Sequence, residues 1–322
     1  MSSVAGAAKW FAFVAGVIVL LAVDLGVVHR RARVVRWAEA LGWSLFWIAL
    51  SLAFAAGLAW QCGRTAGLEF VTGYLIEKAL SIDNLFVFML VLRTFAVPAE
   101  LQHRVLAWGV FGALVTRITF IGAGIALIRA FHPLLWVLGG FLAWTGIRLA
   151  RSSEVAPKVA DNVVVRWARR WLPVTRGYRG QAFVVREDGH WKATPLVLVV
   201  LAVESADVLF AMDSIPAIFG ITLDPFIVYT SNICAVLGLR ALYFLVAGLL
   251  VRFEHLKLGL AGVLVFVGAK MLCAPLFTVP VGWSLTVVAA LIGLSVAASL
   301  VTEDPELTPP SGSPAPLDTP AS

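Results

Sequence analysis

Apolar runs long enough to cross a bilayer recur along this chain from end to end. About 20 residues of helix span the hydrocarbon core. In lipid, every backbone polar group must find its partner within the protein, so runs of this length are read as helices. Nine can be marked, at 10–28, 41–60, 68–92, 105–128, 133–150, 194–222, 226–251, 257–273 and 282–301. Composition agrees, with 60% of the 322 residues hydrophobic and 14% charged. Soluble domains carry nearer a quarter charged residues. The expectation is an all-α, polytopic membrane domain over residues 1–302.

The first run carries Lys9, but no small-x-small cleavage pattern follows it, and Asp24 and "HRRARVVR" come next. It reads as an uncleaved helix. Residues 151–193 form a polar, basic loop. Within it, "FVVREDGHWKAT" alternates around Asp188-Gly189, the pattern of a hairpin with a tight turn. The tail over 303–322 is rich in Pro and Ser and reads as disordered. The three cysteines are scattered and contain no CxxC pair.

The net charge of +6 does not point to nucleic acid, because the bases are concentrated in particular loops. Arg30, Arg31, Arg33 and Arg36, then Arg93 and Arg104, then the ten Lys and Arg from Arg148 to Lys192, then Arg252 and Lys257 fall in alternate loops. Lys9, Arg64 and Arg129 fall in the others. By the positive-inside rule the N-terminus is outside and the C-terminal tail cytoplasmic.

An internal repeat emerges between the acidic segments. "EKALSIDN" at 77–84 aligns with "DVLFAMDS" at 207–214, pairing Glu77 with Asp207, Asp83 with Asp213 and Asn84 with Ser214. The helices that follow each carry one arginine, Arg117 and Arg240. "GGFLAWTGIRLA" at 139–150 then lies over "AGVLVFVGAKML" at 261–272, Gly146 over Gly268. Three spans repeat, over 68–150 and 194–273. Three is odd, so the second copy is inverted, a design common in secondary transporters with a site near mid-bilayer. Running inward and outward respectively, the copies are expected to bring Glu77 to the depth of Asp213, and Asp83 to that of Asp207, in two tiers.

Setting aside Glu69, Arg148 and Lys257 at span ends, six acids lie within spans: Asp24, Glu77, Asp83, Glu204, Asp207 and Asp213. Each costs about 2.5–3.5 kcal/mol at a helix centre. They must face inward and be paired, protonated, hydrated or bound to a cation. The bases within spans are four, Lys78, Arg117, Arg240 and Lys270, so two acids stay unmatched even if every base pairs. No span holds a His or Cys cluster, which disfavours zinc and copper. Carboxylate, amide and hydroxyl oxygens suit magnesium, calcium or manganese. Pro216 lacks an N–H, so the Met212 carbonyl loses its helical partner and is available as a further oxygen ligand. Local unwinding there is expected to swing Asp213 towards the face of Asp207.

At "EKALSIDNLFVF" and "ESADVLFAMDSIPAIFGI" the chain resembles the TerC family of integral membrane proteins, with support from "VDLGVVHRRA", "SNICAVLGLRALYF" and "GLAGVLVFVGAKML". The resemblance implies a bacterial inner-membrane protein linked to tellurium resistance and manganese export. It implies a metal-site role for Glu77, Asp83, Asn84, Glu204, Asp207, Asp213 and Ser214, and for Asp24. Lys78, Arg117 and Arg240 are read as counter-ions or gating groups. The implied partners are the bilayer and a transported divalent cation, with no permanently bound cofactor and no nucleic acid. Oligomeric state is open.

Three functions compete. The first is a secondary transporter that exports a hard divalent cation, driven by protons or another ion. The second is a non-transporting membrane scaffold in metal or tellurite stress. The third is an intramembrane aspartyl hydrolase, whose usual GxGD context is absent here. Against all three stands a bland alternative, in which the acids simply form structural ion pairs with Lys78, Arg117 and Arg240.

Overall fold

The computed structural model describes residues 4–26, 37–151, 163–187, 189–247, 256–277 and 279–301. The arginine cluster at 30–36, Arg252, Asp188 and the tail at 303–322 lie outside the described residues. The helices are α1 (Ala7–Gly26), α2 (Trp37–Cys62), α3 (Arg64–Thr94), α4 (Ala99–Ala130), α5 (Leu134–Arg151) and α6 (Val163–Trp171). A hairpin of β1 (Val184–Glu187) and β2 (His190–Ala193) follows. Then come α7 (Pro195–Phe219), α8 (Pro225–Leu237), α9 (Leu239–Ala247), α10 (Leu256–Cys273) and α11 (Val281–Val301).

Helix occupies each of the nine apolar stretches. By length and apolarity alone, four helices among the described residues can cross a bilayer: Ala38–Cys62, Ala99–Ala130, Pro195–Phe219 and Val281–Ser299. A fifth candidate is the bent pair α8–α9. The stretch at 226–251 was expected to be one span; the chain bends within it by 43° between Leu237 and Leu239. Gly238 supplies the joint. A Cβ there would stand 2.8 Å from the Lys78 ammonium and 3.0 Å from Trp47. The missing side chain leaves room for Trp47 of α2 and Lys78 of α3 in the bend.

The termini of these helices follow local chemistry. Asp224 caps α8, its carboxylate accepting from the amides of Phe226 (2.9 Å) and Ile227 (3.2 Å), with Pro225 at the first helical position. That combination satisfies orphan donors and presets the backbone. Pro195 opens α7 in the same way. Pro216 does not unwind α7, contrary to expectation: the helix runs through it to Phe219. The proline lies one turn from the helix end, where it removes a single hydrogen bond. Ile215, Pro216, Ala217 and Ile218 are all buried, so packing holds the last turn in place.

The hairpin in the basic loop has the expected register, with Val184 opposite Ala193 and Glu187 opposite His190. Gly189 takes a positive φ of 78°, as a two-residue turn requires. Two hydroxyls anchor this loop to the bundle. Tyr178 donates to the Phe95 carbonyl at the end of α3 (2.7 Å), and Thr194 donates to the Ala182 carbonyl (2.7 Å). Helix α6 inside the loop was not anticipated. Its "VVVRWARRW" buries Val165 and Ala168 and leaves Trp167 and Trp171 exposed. Nine residues are too few to stand out against a loop assignment, and packing on α7 stabilises the turns that propensity alone would not.

The centre of the bundle is made by α3, α4, α7 and α8, with α2 and α9 against α3. Helices α5 and α10 pack on each other along their length, and α11 lies over α10 and α3.

Candidate functional site

Two close helix approaches build the polar centre. At Gly73 of α3 a Cβ would stand 3.0 Å from the Ser231 hydroxyl of α8. One turn further on, Glu77 of α3 meets Asn232 of α8. At Gly109 of α4 a Cβ would stand 3.0 Å from Val203 of α7. A Cβ at Gly112 would fall inside the Glu204 carboxylate. Glycine on α4 therefore makes the space that the acidic face of α7 occupies, and Arg117 follows further along α4.

Arg117 is fully buried, and its guanidinium joins both halves of the repeat. It donates to Glu77 Oε1, to Asn232 Oδ1 at 3.2 Å and to Asp207 Oδ1 at 3.4 Å. The Asn232 amide donates in turn to Glu77 Oε2 at 3.1 Å. Glu77, Asp207 and Asn232 are 0%, 1% and 0% exposed, so none of these contacts is shared with lipid or solvent. Two carboxylates meet one guanidinium, and if all three are ionised the cluster carries one net negative charge.

Several polar atoms around the cluster remain unmatched. Asp207 Oδ2, Asn84 Nδ2, Ser81 Oγ, Ser214 Oγ, Glu204 Oε1 and Arg117 Nε are buried and lack a hydrogen-bond partner among the described residues. Native proteins leave few such groups, and each calls for an explanation. Four of the six are oxygens from carboxylates and hydroxyls, the donor class that hard divalent cations take.

The other expected residues are distributed around this centre. Lys78, the neighbour of Glu77, turns to α8 and donates to the Ala235 carbonyl at 2.8 Å, beneath the Tyr74 ring. Arg240 is buried near the start of α9, within electrostatic range of His103. Asp213 is half-buried beside Thr145 of α5. Glu204 is half-buried over Gly112. Asp24 lies on α1 and Asp83 on α3, but their side chains lie outside the described residues. Among the described residues, no group of three or more His, Cys, Asp or Glu stands close enough to hold one ion.

The tiered arrangement expected from the sequence is incomplete in one respect. Glu77 shares a guanidinium with Asp207, its own counterpart in the sequence repeat, a meeting that the two tiers did not anticipate. Helices α3 and α7 pack against each other with these two acids on either side of one arginine, which brings like to like. Asn232 was missed as a site residue. The signal was present, since an amide in an otherwise apolar helix must bond to something.

These features define a polytopic helical membrane protein with a buried, charged centre shared by four helices. The chain belongs to the TerC family of integral membrane proteins, whose family model matches residues 62–306. It is 49% identical over 299 residues to "Uncharacterized membrane protein STKORF319" of Myxococcus xanthus, covering 93% of this chain and 94% of that one. It is 43% identical over 305 residues to "Putative membrane-bound redox modulator Alx" of Photorhabdus laumondii, covering 92% and 95%. It is 45% identical over 301 residues to the protein of the same name from Escherichia coli K12, covering 91% and 94%. No solved structure matches the chain.

Proposed function

We propose that this protein is a secondary transporter that exports a hard divalent cation, manganese foremost, from the cytoplasm across a bacterial inner membrane. The observation that carries the reading is the convergence of Glu77 and Asp207, from equivalent positions of two sequence repeats, on one buried guanidinium. Ionisable groups at this depth in a membrane default to function, because burying them for structure alone is costly. Among the described residues no three acids share one ion, so a cation would first meet Glu77, Asp207 and the Asn232 oxygen, and Glu204, Asn84, Ser214, Asp83 and Asp213 would join it only after the helices shift. Asp24 is an accessory acid. Arg117 is a tethered competitor: it must yield at least one carboxylate before a metal can take that oxygen. Arg240 and Lys78 are counter-charges near the path.

Alternating access would come from two inverted halves, in nine spans, moving against each other. Reciprocal contacts support this. Gly146 of α5 approaches Ala261 and Val265 of α10. Gly268 of α10 approaches Gly139 and Ala143 of α5. Under the alignment of Gly146 with Gly268, these are one contact exchanged, as a twofold axis demands. The two helices also run antiparallel, as an axis in the membrane plane requires. The Gly73–Ser231 and Gly109–Val203 contacts exchange in the same manner.

The relatives named as redox modulators do not require thiol chemistry here. Cys62, Cys234 and Cys273 are all free and dispersed over three helices. Exporting a redox-active metal would alter the redox state of the cell indirectly. The test is manganese flux in proteoliposomes. Wild type should move the ion, and Asp207→Asn should reduce flux to that of protein-free vesicles. Unchanged flux in Asp207→Asn would overturn the reading.

A further inference from the structure

An elongated cavity of about 340 Å³ lies between α1, α2 and α8, away from the charged centre. Its wall runs from Lys9 to Leu20 on α1 and from Gln61 to Trp47 on α2. The eleven helical steps from Lys9 to Leu20 rise about 16 Å. That is close to half of the roughly 30 Å hydrocarbon core, the depth of one leaflet.

The polarity of the wall is one-sided. Lys9 and Gln61 mark one end, where the Lys9 ammonium donates to Cys62 Sγ at 2.9 Å. That bond uses one of three N–H donors and leaves two for a ligand. Further in, the lining is hydrocarbon and aromatic, apart from the Cys234 thiol and Ser51, whose hydroxyl is already donated to the Trp47 carbonyl at 2.8 Å. The far end, at Leu20, Trp47 and Leu50, carries no charge.

Two glycines keep the space open. A Cβ at Gly16 or at Gly57 would meet nothing within 4 Å. Gly67, on the same side of the bundle, differs: a Cβ there would stand 2.6 Å from the Ala59 Cβ, so it serves helix packing. Gly16 and Gly57 serve no such contact, and a larger residue at either would fill the cavity. An apolar slot of this size left without a neighbour would forfeit the dispersion contacts of its whole lining.

We propose that this cavity is a binding site for one acyl chain of an anionic phospholipid, drawn from the leaflet on the Lys9 side. The chain lies along Gly16 and Gly57, and the phosphate meets the Lys9 ammonium and the Gln61 amide. Charge complementarity selects the lipid: the one formal charge on the wall is positive and stands at the interface end.

Native mass spectrometry of the full-length protein tests this, with phosphatidylglycerol and phosphatidylcholine added in turn as probes. Wild type should retain one phosphatidylglycerol in preference to phosphatidylcholine. Gly57→Leu and Gly16→Leu, which fill the slot from opposite walls, should each lower retention roughly tenfold or more. Lys9→Gln should keep chain binding but narrow the preference for the anionic lipid by about fivefold. Wild-type retention in a correctly folded Gly57→Leu or Gly16→Leu would overturn the proposal. So would an undiminished anionic preference in Lys9→Gln, or retention of a neutral isoprenoid in place of phospholipid.

Discussion

Two charge clusters in this molecule are mirror images in composition and opposites in setting. In the bundle, one cation, Arg117, faces two acids, Glu77 and Asp207, all fully buried. In the basic loop, one acid, Glu187, faces two cations, Arg179 at 2.8 Å and Lys192 at 3.5 Å, with the Arg179 side chain 54% exposed. Water and salt screen the second cluster, so its members are nearly independent. Nothing screens the first, so each member depends on the other two. The same pairing of residue types makes a solvated surface in one place and a candidate site for a transported cation in the other. Burial makes the difference.

The comparison is broken most directly by deleting the shared cation. Arg117→Met should cost about 3–5 kcal/mol, because it strands two carboxylates in a low-dielectric interior. Thermal unfolding in detergent reads the loss. The triple variant Glu77→Gln, Arg117→Met, Asp207→Asn should recover most of it, since no uncompensated charge remains. A single variant as stable as wild type would mean that the cluster is wetter than its burial implies.

Asn232→Leu should cost about 1–3 kcal/mol, because both Arg117 and Glu77 lose a hydrogen bond they cannot replace. It should also impair manganese flux while Lys78→Gln, directed to a backbone carbonyl, impairs it less. Proteoliposome assays of the two variants side by side sharpen the contrast between groups in the cluster and groups beside it.

A third expectation concerns the twofold relation proposed between the two repeats. Gly146→Val places a Cβ 2.7 Å from the Ala261 carbonyl, and Gly268→Val places one 2.6 Å from the Gly139 carbonyl. Each should destabilise by about 1–3 kcal/mol, the usual cost of overpacking, and by similar amounts. Gly140→Val, which meets nothing within 4 Å, should be close to neutral. Unequal effects of the first two would count against the symmetry.

The smallest effect is expected in the loop. The hydrogen bond from Arg179 holds the Glu187 carboxyl below its ordinary value of 4.5. A depressed acid contributes fully above its unfolded value and loses that contribution as pH falls through the folded one. The protection factor of the hairpin amides, exchange divided out by its intrinsic pH dependence, should therefore fall modestly below about pH 4.5 in wild type and lose that fall in Glu187→Gln, with bundle stability unchanged.

Much of this architecture is legible in the sequence, and the failures are instructive. Hydropathy marks the helices because lipid imposes the same demand on every residue of a span. The repeat shows because Glu77 and Asp207, and Gly146 and Gly268, sit in matching contexts. The break at Gly238 was hidden because glycine is common in membrane helices, and only the Lys78 and Trp47 side chains pressing on it reveal the need for a joint. Helix α6 was hidden by its brevity. The meeting of Glu77 with Asp207 was not foreseen because chain direction orders acids along each helix but does not say where the helices cross. Asp213 stayed beside Thr145 because the packing of the last turn of α7 outweighs the one hydrogen bond lost at Pro216.

In the proposed function, Glu77 and Asp207, one from each repeat, would hold a single divalent cation between them. Manganese binding to the purified protein tests it, read from the electron paramagnetic resonance signal of the free ion. Wild type should bind manganese with high affinity, Glu77→Gln and Asp207→Asn should each abolish that binding, and the double variant should be no worse than either. Wild-type binding in both single variants, or loss in only one of them, would contradict the account.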